Sequence, residues 1–450
     1  MSFKKKIMAV VAVGALTVGT AVPAMALENE FHGMFKFMGI GGNFFNGSGA
    51  NLAKDAHSGT FAEQRARINY IAKANDNLKL VTHFELDSRF GGKVNQTGQY
   101  YANDSGNLDA DQITLETKNV YLDFNCPITG TNVKAGIQPW SDSYKSVFLL
   151  ADMTGVNLTK KFDPLTVSLG WFRFDDNTPG STADVDQLTA DLIVLDGKFA
   201  VTKDITVGAS YYNIQNDTGS TSNPGFELLH MVGLNASIKA GPATIDPFFA
   251  YQFGEVSATS DLSAFLAGAT AKVKVGPGSI NAAALYLSGD DNGTGDADDF
   301  KIVSVSPPTS YFNAANMWLL VRSGQAINSS TSVLGNDLTV RGRGLAGFFA
   351  GYEGTMDKVF YNANVGYAMT AEERGSEDSS LGTEINAQVG YKLFDNLSIS
   401  AAAAYVFLGD GLKKQSGTGL KGISGFAPAT AAAADFDDPY MLNVQLAYVF

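Results

Sequence analysis

NLKLVTHFELDSRF, residues 77–90, alternates along its length. Leu78, Leu80, Phe84, Leu86 and Phe90 share one parity, while Lys79, His83, Glu85, Asp87 and Arg89 share the other. Successive side chains of an extended strand point to opposite faces, so this segment reads as a strand with one greasy and one charged face. A helix would mix the two sets.

The same alternation recurs on either side. In AEQRARINYIAKA (62–74), Ala66, Ile68, Tyr70 and Ala72 oppose Glu63, Arg65, Arg67, Asn69 and Lys73. In GTEINAQVGYKL (382–393), Ile385, Ala387, Val389 and Tyr391 oppose Glu384, Asn386, Gln388 and Lys392. ITLETKNVYLDF (113–124) changes phase near Lys118 and Asn119, which reads as a β-bulge.

Eight short Asp, Asn, Gly or Pro clusters each lead at once into an alternating run, which is hairpin chemistry: 75–80, 125–133, 162–167, 202–207, 240–245, 275–280, 356–360 and 393–399. Between them lie longer polar connections at 40–60, 91–110, 139–152, 175–184, 214–225, 255–261, 290–341, 370–381 and 409–438. Short turns alternating with long loops predict a closed antiparallel transmembrane β-barrel, with turns on the periplasmic side and loops outside. The count gives about eighteen strands, with sixteen as the alternative. A soluble propeller would bury apolar residues on both faces of its inner strands and repeat a blade motif.

Composition agrees. Hydrophobic residues make up 45% of the chain and charged residues 17%. After residue 26 no run of eighteen apolar residues occurs, which excludes spanning helices. Residues 1–26 read as a signal peptide: Lys4, Lys5 and Lys6, then an apolar core, then Ala24-Met25-Ala26. Its removal deletes three lysines and no acid, taking the formal charge from −13 to −16. The barrel is then expected over 27–450. Cys126 stands alone, so neither an internal disulfide nor a C-x-x-C-H haem attachment is available.

Arg65 and Arg67 are two apart on one strand and share a face; Lys79 and Arg89 on the next strand face with Glu85 and Asp87. With Glu116, these are the candidate lumen-lining residues. Charged walls in a narrow aqueous passage are how pores select. The competing reading is that the charges pair with one another and only keep the lumen wet.

The loop QPWSDSYKSVFLLAD (138–152) is too apolar for a free surface loop, with Trp140, Tyr144, Phe148, Leu149 and Leu150. Folded inward it would narrow the passage, placing Asp142, Lys145 and Asp152 opposite the Arg65 and Arg67 wall; packing across a subunit interface is the alternative. The 290–341 loop contains YFNAANMWLLV (311–321) and is expected inside the mouth or against a neighbouring subunit. DDNGTGDADD (290–299) offers Asp290, Asn292, Asp296 and Asp298 as weak calcium ligands, in a site that would bridge lipopolysaccharide, against a plain solvated acidic loop.

His32, His57, His83 and His230 are scattered, and no nucleophile, base and carboxylate grouping stands out, so no enzyme, cofactor or nucleic-acid partner is predicted. GRGLAG (342–347) matches a dinucleotide fingerprint but opens into a strand pattern rather than a helix. YMLNVQLAYVF (440–450) places Tyr440, Leu442, Val444, Leu446, Tyr448 and Phe450 toward lipid, with Asn443, Gln445 and Ala447 toward the lumen.

That last strand, with Tyr448 and Phe450, resembles the recognition signal read by the barrel-assembly machinery of Gram-negative bacteria. The chain resembles bacterial outer-membrane porins, and LETKNVYLDFNCP with TNVKAGIQPWSDSYK is similar to OmpJ-type porins of metal-reducing deltaproteobacteria. FHGMFKFMGIGG is similar to the opening strand of maltoporin-like sugar channels, although the expected lumenal aromatics Tyr121, Phe172 and Phe360 are scattered rather than a continuous slide. The resemblance implies passive diffusion of small hydrophilic solutes across the outer membrane, a homotrimer, and contact with the lipid bilayer and lipopolysaccharide. It also implies two alternatives: a substrate-specific channel, or a structural barrel supporting a multihaem cytochrome partner.

Overall fold

A computed structural model describes residues 27–43, 58–92, 105–106, 113–176, 189–218, 225–293, 295–303, 311–321, 333–334, 337–374, 378–413 and 437–450. The expected signal segment lies outside them.

The strands are β1 (Glu28–Gly42), β2 (Gly59–Asn75), β3 (Leu78–Phe90), β4 (Ser105–Gly106), β5 (Glu116–Asn125), β6 (Asn132–Ser141) and β7 (Leu150–Lys161). They continue as β8 (Leu165–Asp176), β9 (Thr189–Ala200), β10 (Ile205–Asn216), β11 (Leu228–Ala240), β12 (Ala243–Ser257) and β13 (Ser260–Val275). The set ends with β14 (Gly278–Leu287), β15 (Leu345–Met356), β16 (Val359–Met369), β17 (Ser380–Phe394), β18 (Leu397–Leu408) and β19 (Tyr440–Val449). β4 is a two-residue piece lying parallel to β3; the other eighteen form one antiparallel sheet. β1 pairs with both β2 and β19, so the sheet closes and leaves no edge. Eighteen strands, the eight predicted turns and the bulge at Lys118 are all present.

Parity divides the wall. Lys36, Arg65 and Asp87 face one another across β1, β2 and β3 on the inside, while Phe35, Ala66 and Leu86 do so outside. Exposed apolar side chains fall on the outer parity, for example Leu169, Trp171, Ile193, Leu195, Leu442 and Val444. An apolar exterior of this extent is untenable in water and suits lipid. At the turn end Tyr448 stacks on Phe450 at 5.4 Å, and Phe450 exchanges two backbone hydrogen bonds with Gly33. The last residue is therefore tied into the first strand of the barrel.

The packed core lies inside the loop-end half of the barrel. Inward residues of β8 to β13, among them Phe172, Leu192, Tyr212, Leu229 and Leu266, meet Tyr144, Phe148 and Leu149 of the loop after β6. Phe300, Phe312, Met317 and Leu319 of the connection between β14 and β15 join the same cluster.

Candidate functional site

Two segments fold into the lumen, and a buried acceptor holds each of them. The Asp142 carboxylate accepts hydrogen bonds from the backbone amides of Tyr144, Ser146, Phe148 and Leu149 at 2.6–3.0 Å. Glu384, on the inner face of β17, accepts those of Trp318, Leu319 and Leu320 at 2.6–2.9 Å. Asn386 adds a bond to the carbonyl of Asn316, and Asn316 in turn reaches Asn364 on β16. Gln252 on β12 both donates to the carbonyl of Lys301 and accepts from its amide, each at 2.8 Å. The two segments also bond each other, from Val303 to Phe148 and from Tyr311 to Ser146. Irregular backbone at membrane depth needs partners of this kind, because lipid supplies none.

Of the expected lumenal aromatics, Phe172 alone joins the packed interior; Tyr121 and Phe360 lie outside that cluster. Trp140, Phe172, Tyr212, Phe148 and Phe300 form a connected cluster with centroid separations of 5.5–6.5 Å. Sequence reasoning missed it because the rings come from distant strands and loops; their inward parity on each strand was the available signal.

The predicted wall is assembled on β1, β2, β3 and β5. Arg65 grips Asp87 in a fork, with Nε to Oδ1 at 2.6 Å, and lies 3.3 Å from Glu85. Arg67 pairs with Glu85. Arg89 pairs with Glu63 at 3.0 Å and lies over the Phe61 ring at 4.1 Å. Lys79 pairs with Asp123 at 3.5 Å near the turn end, well away from the arginines. Glu116 stands opposite Glu85 in register and is exposed. Lys36, missed in the sequence, stands opposite Arg65.

Of the three loop residues, Asp152 alone reaches this wall, through Lys118, whose Nζ lies 4.0 Å from Glu85. Asp142 is 7% exposed and spends its carboxylate on its own loop, so it does not line the passage. Lys145 reaches across to Asp246 on β12 at 2.7 Å, and Asp152 on β7 pairs with Lys118 at 2.8 Å. Burial raises the pKa of Asp142 to about 6 although its four amide donors pull the other way.

Two of the four calcium candidates accept backbone hydrogen bonds. Asp290 accepts from the amides of Asn292 and Gly293, and Asp296 from that of Asp261. Among the described residues no grouping of three His, Cys, Asp or Glu could hold a metal ion.

Toward the turns the lumen becomes basic. Lys134, Lys161, Lys198, Lys239, Lys274 and Lys392 have inward parity, each within two residues of the turn end of its strand. Lys73, Lys79 and Lys272 in the same zone are paired with carboxylates. The other six have no salt bridge to a described residue.

Solved structures of the same architecture span nearly the whole chain. The fold is that of the outer-membrane porins. The porin fold matches Acinetobacter baumannii OccAB1 with a TM-score of 0.55 and 12% identity, covering 94% of this chain and 96% of that one. Pseudomonas aeruginosa OccK5 (OpdH) gives 0.53 and 14%, covering 94% and 98%. The outer membrane protein opdK of the same organism gives 0.51 and 9%, covering 94% and 98%. No protein-family model and no curated protein matches the chain.

Proposed function

We propose that this barrel is an outer-membrane porin, a passive water-filled route for small hydrophilic solutes and ions, and that the route runs along the wall of β1 to β5. The carrying observation is the division of the lumen: aromatic packing and one folded-in segment lie against β8 to β13 and the other segment is held on β12, β16 and β17, while the ion-paired wall keeps accessible polar groups, with the Arg67 side chain 30% exposed. A barrel of this size encloses more space than its own side chains fill. The inward segments favour a narrow, selective passage over a wide sieve. The lysines at the turn end give that passage a preference for anions, since fixed charge of one sign in a confined mouth concentrates the opposite ion.

Liposome swelling with the purified full-length protein tests the reading. Uptake of neutral solutes is expected to fall steeply with size, and uptake of small carboxylates to exceed that of matched amines. Intact liposomes that do not swell in any small solute would instead favour a plugged, partner-binding barrel.

A further inference from the structure

Ion pairs neutralise most of the wall on β1, β2, β3 and β5: Arg65 with Asp87, Arg67 with Glu85, Arg89 with Glu63, and Lys118 with Asp152. Two charges are left over. The side chains of Lys36 on β1 and Glu116 on β5 make no salt bridge or hydrogen bond to any described residue. In register Lys36 stands between Arg65 and Ala447, so its neighbour on β19 is small and leaves room beside it. Glu116 stands beside Glu85, which faces Arg67, and the ladder between β5 and β6 stops short of it at Val120. Cross-strand neighbours share a face, so both charges point into the lumen with the paired residues. Neither is buried.

The two stand at opposite margins of a neutralised patch. Lys36 is level with Arg65 and Asp87, while Glu116 is level with Arg67 and Glu85, two residues nearer the turns and three strand spacings away. At about 4.8 Å per spacing and 3.3 Å per residue, their Cα atoms are about 16 Å apart along the wall. The wall is concave and both side chains are long, so the charged ends approach to about 10 Å. Each lacks a counterion of its own, and a solute that brings the opposite charge to each gains a charge-assisted bond at both ends. An ion of single sign gains only one. Contacts of about 2.8 Å at either end leave about 5 Å between the charges of the solute, the span of a dipeptide or short ω-amino acid and more than an α-amino acid offers.

We propose that Lys36 and Glu116 form a bipolar site for a linear zwitterion of dipeptide length, with its carboxylate on Lys36 and its ammonium on Glu116. The ion pairs between them are already satisfied and serve as a polar floor under the solute. The inference rests on the porin reading and names a solute class whose passage the lumen favours.

The probe is glycylglycine, added to the full-length protein during single-channel recording. It should interrupt the open-channel current saturably. N-acetylglycylglycine, which lacks the ammonium, and glycylglycinamide, which lacks the carboxylate, should each need about tenfold more for half-block. Lys36→Met and Glu116→Gln should each raise the half-blocking concentration of glycylglycine about tenfold, while Lys36→Arg and Glu116→Asp should stay close to the unaltered protein. Stepwise currents in each variant show that it is a folded barrel. Currents that glycylglycine does not interrupt, block by N-acetylglycylglycine at the same concentration, or a half-block unmoved by Lys36→Met or by Glu116→Gln overturns the inference. Those results come from an open channel and leave the porin reading standing, whereas a folded barrel that passes no current overturns both.

Discussion

Glu384 accepts the backbone amide of Leu319 at 2.9 Å, so a wall carboxylate of β17 holds a chain segment 65 residues earlier in sequence. Its other oxygen and a shared bond hold Trp318 and Leu320 as well. An acceptor-only group is required here, because these three amides and the Asn386 side-chain amide all donate to it.

Glu384→Gln keeps the shape but turns an amide NH2 toward those donors. A buried donor left without its acceptor costs about 1–3 kcal/mol. The expected result is a lower unfolding midpoint together with a larger single-channel conductance, as 311–321 loses its hold on the wall. Unchanged conductance in a destabilised variant would show that this segment does not bound the passage.

Asp142 predicts a pH dependence. Its folded pKa is raised to about 6 by burial, above roughly 3.9 for a free carboxyl. Between these values the folded chain holds a proton that the unfolded chain has released. The group's contribution therefore favours folding most below about pH 4, declines as pH rises toward 6, and is level above that. Asp142→Asn should remove this slope and, by opposing an NH2 to the loop amides, cost about 1–3 kcal/mol throughout. Unfolding midpoints in detergent between pH 4 and 7 check it; parallel profiles for the two proteins would refute it.

Arg89 and Glu63 carry the largest electrostatic stake among the wall pairs. Glu63 is 1% exposed, and Arg89 both pairs with it and covers the Phe61 ring. Removing one partner of a buried pair costs about 3–5 kcal/mol, because the remaining charge stays in a poor solvent. Arg89→Met should lose that much stability, and Arg89→Met with Glu63→Gln should recover most of it. Urea titration of the two variants decides; a double variant no better than the single one would mean that the stacking on Phe61 carries the effect.

The architecture was legible because it depends on local signals. Parity in 62–90 and 382–393 separates the faces of each strand, and Pro or Asp-rich clusters such as 162–167 mark the turns. Even the bulge at Lys118 is visible as a phase change. The lumen was legible only in part. Arg65, Arg67, Glu85 and Asp87 are adjacent in a hairpin, so their grouping follows from register. Asp142 looked like a pore residue because it is charged and lies in an inward loop. Its four amide partners are set by how the loop coils, which no spacing rule encodes. Lys145 finds Asp246 from a strand about a hundred residues away, and the lysines at the turn end come from six strands, so neither relationship has a signature within any one segment.

The most direct test of the channel is the zero-current potential of the purified protein in a planar bilayer with a salt gradient. The account predicts stepwise ohmic currents with a potential of the sign that marks anion preference. It further predicts that replacing Lys161, Lys198, Lys239 and Lys274 together by Glu reverses that sign. Silence from a correctly folded barrel, or a cation preference that the lysine replacements leave unaltered, would contradict it.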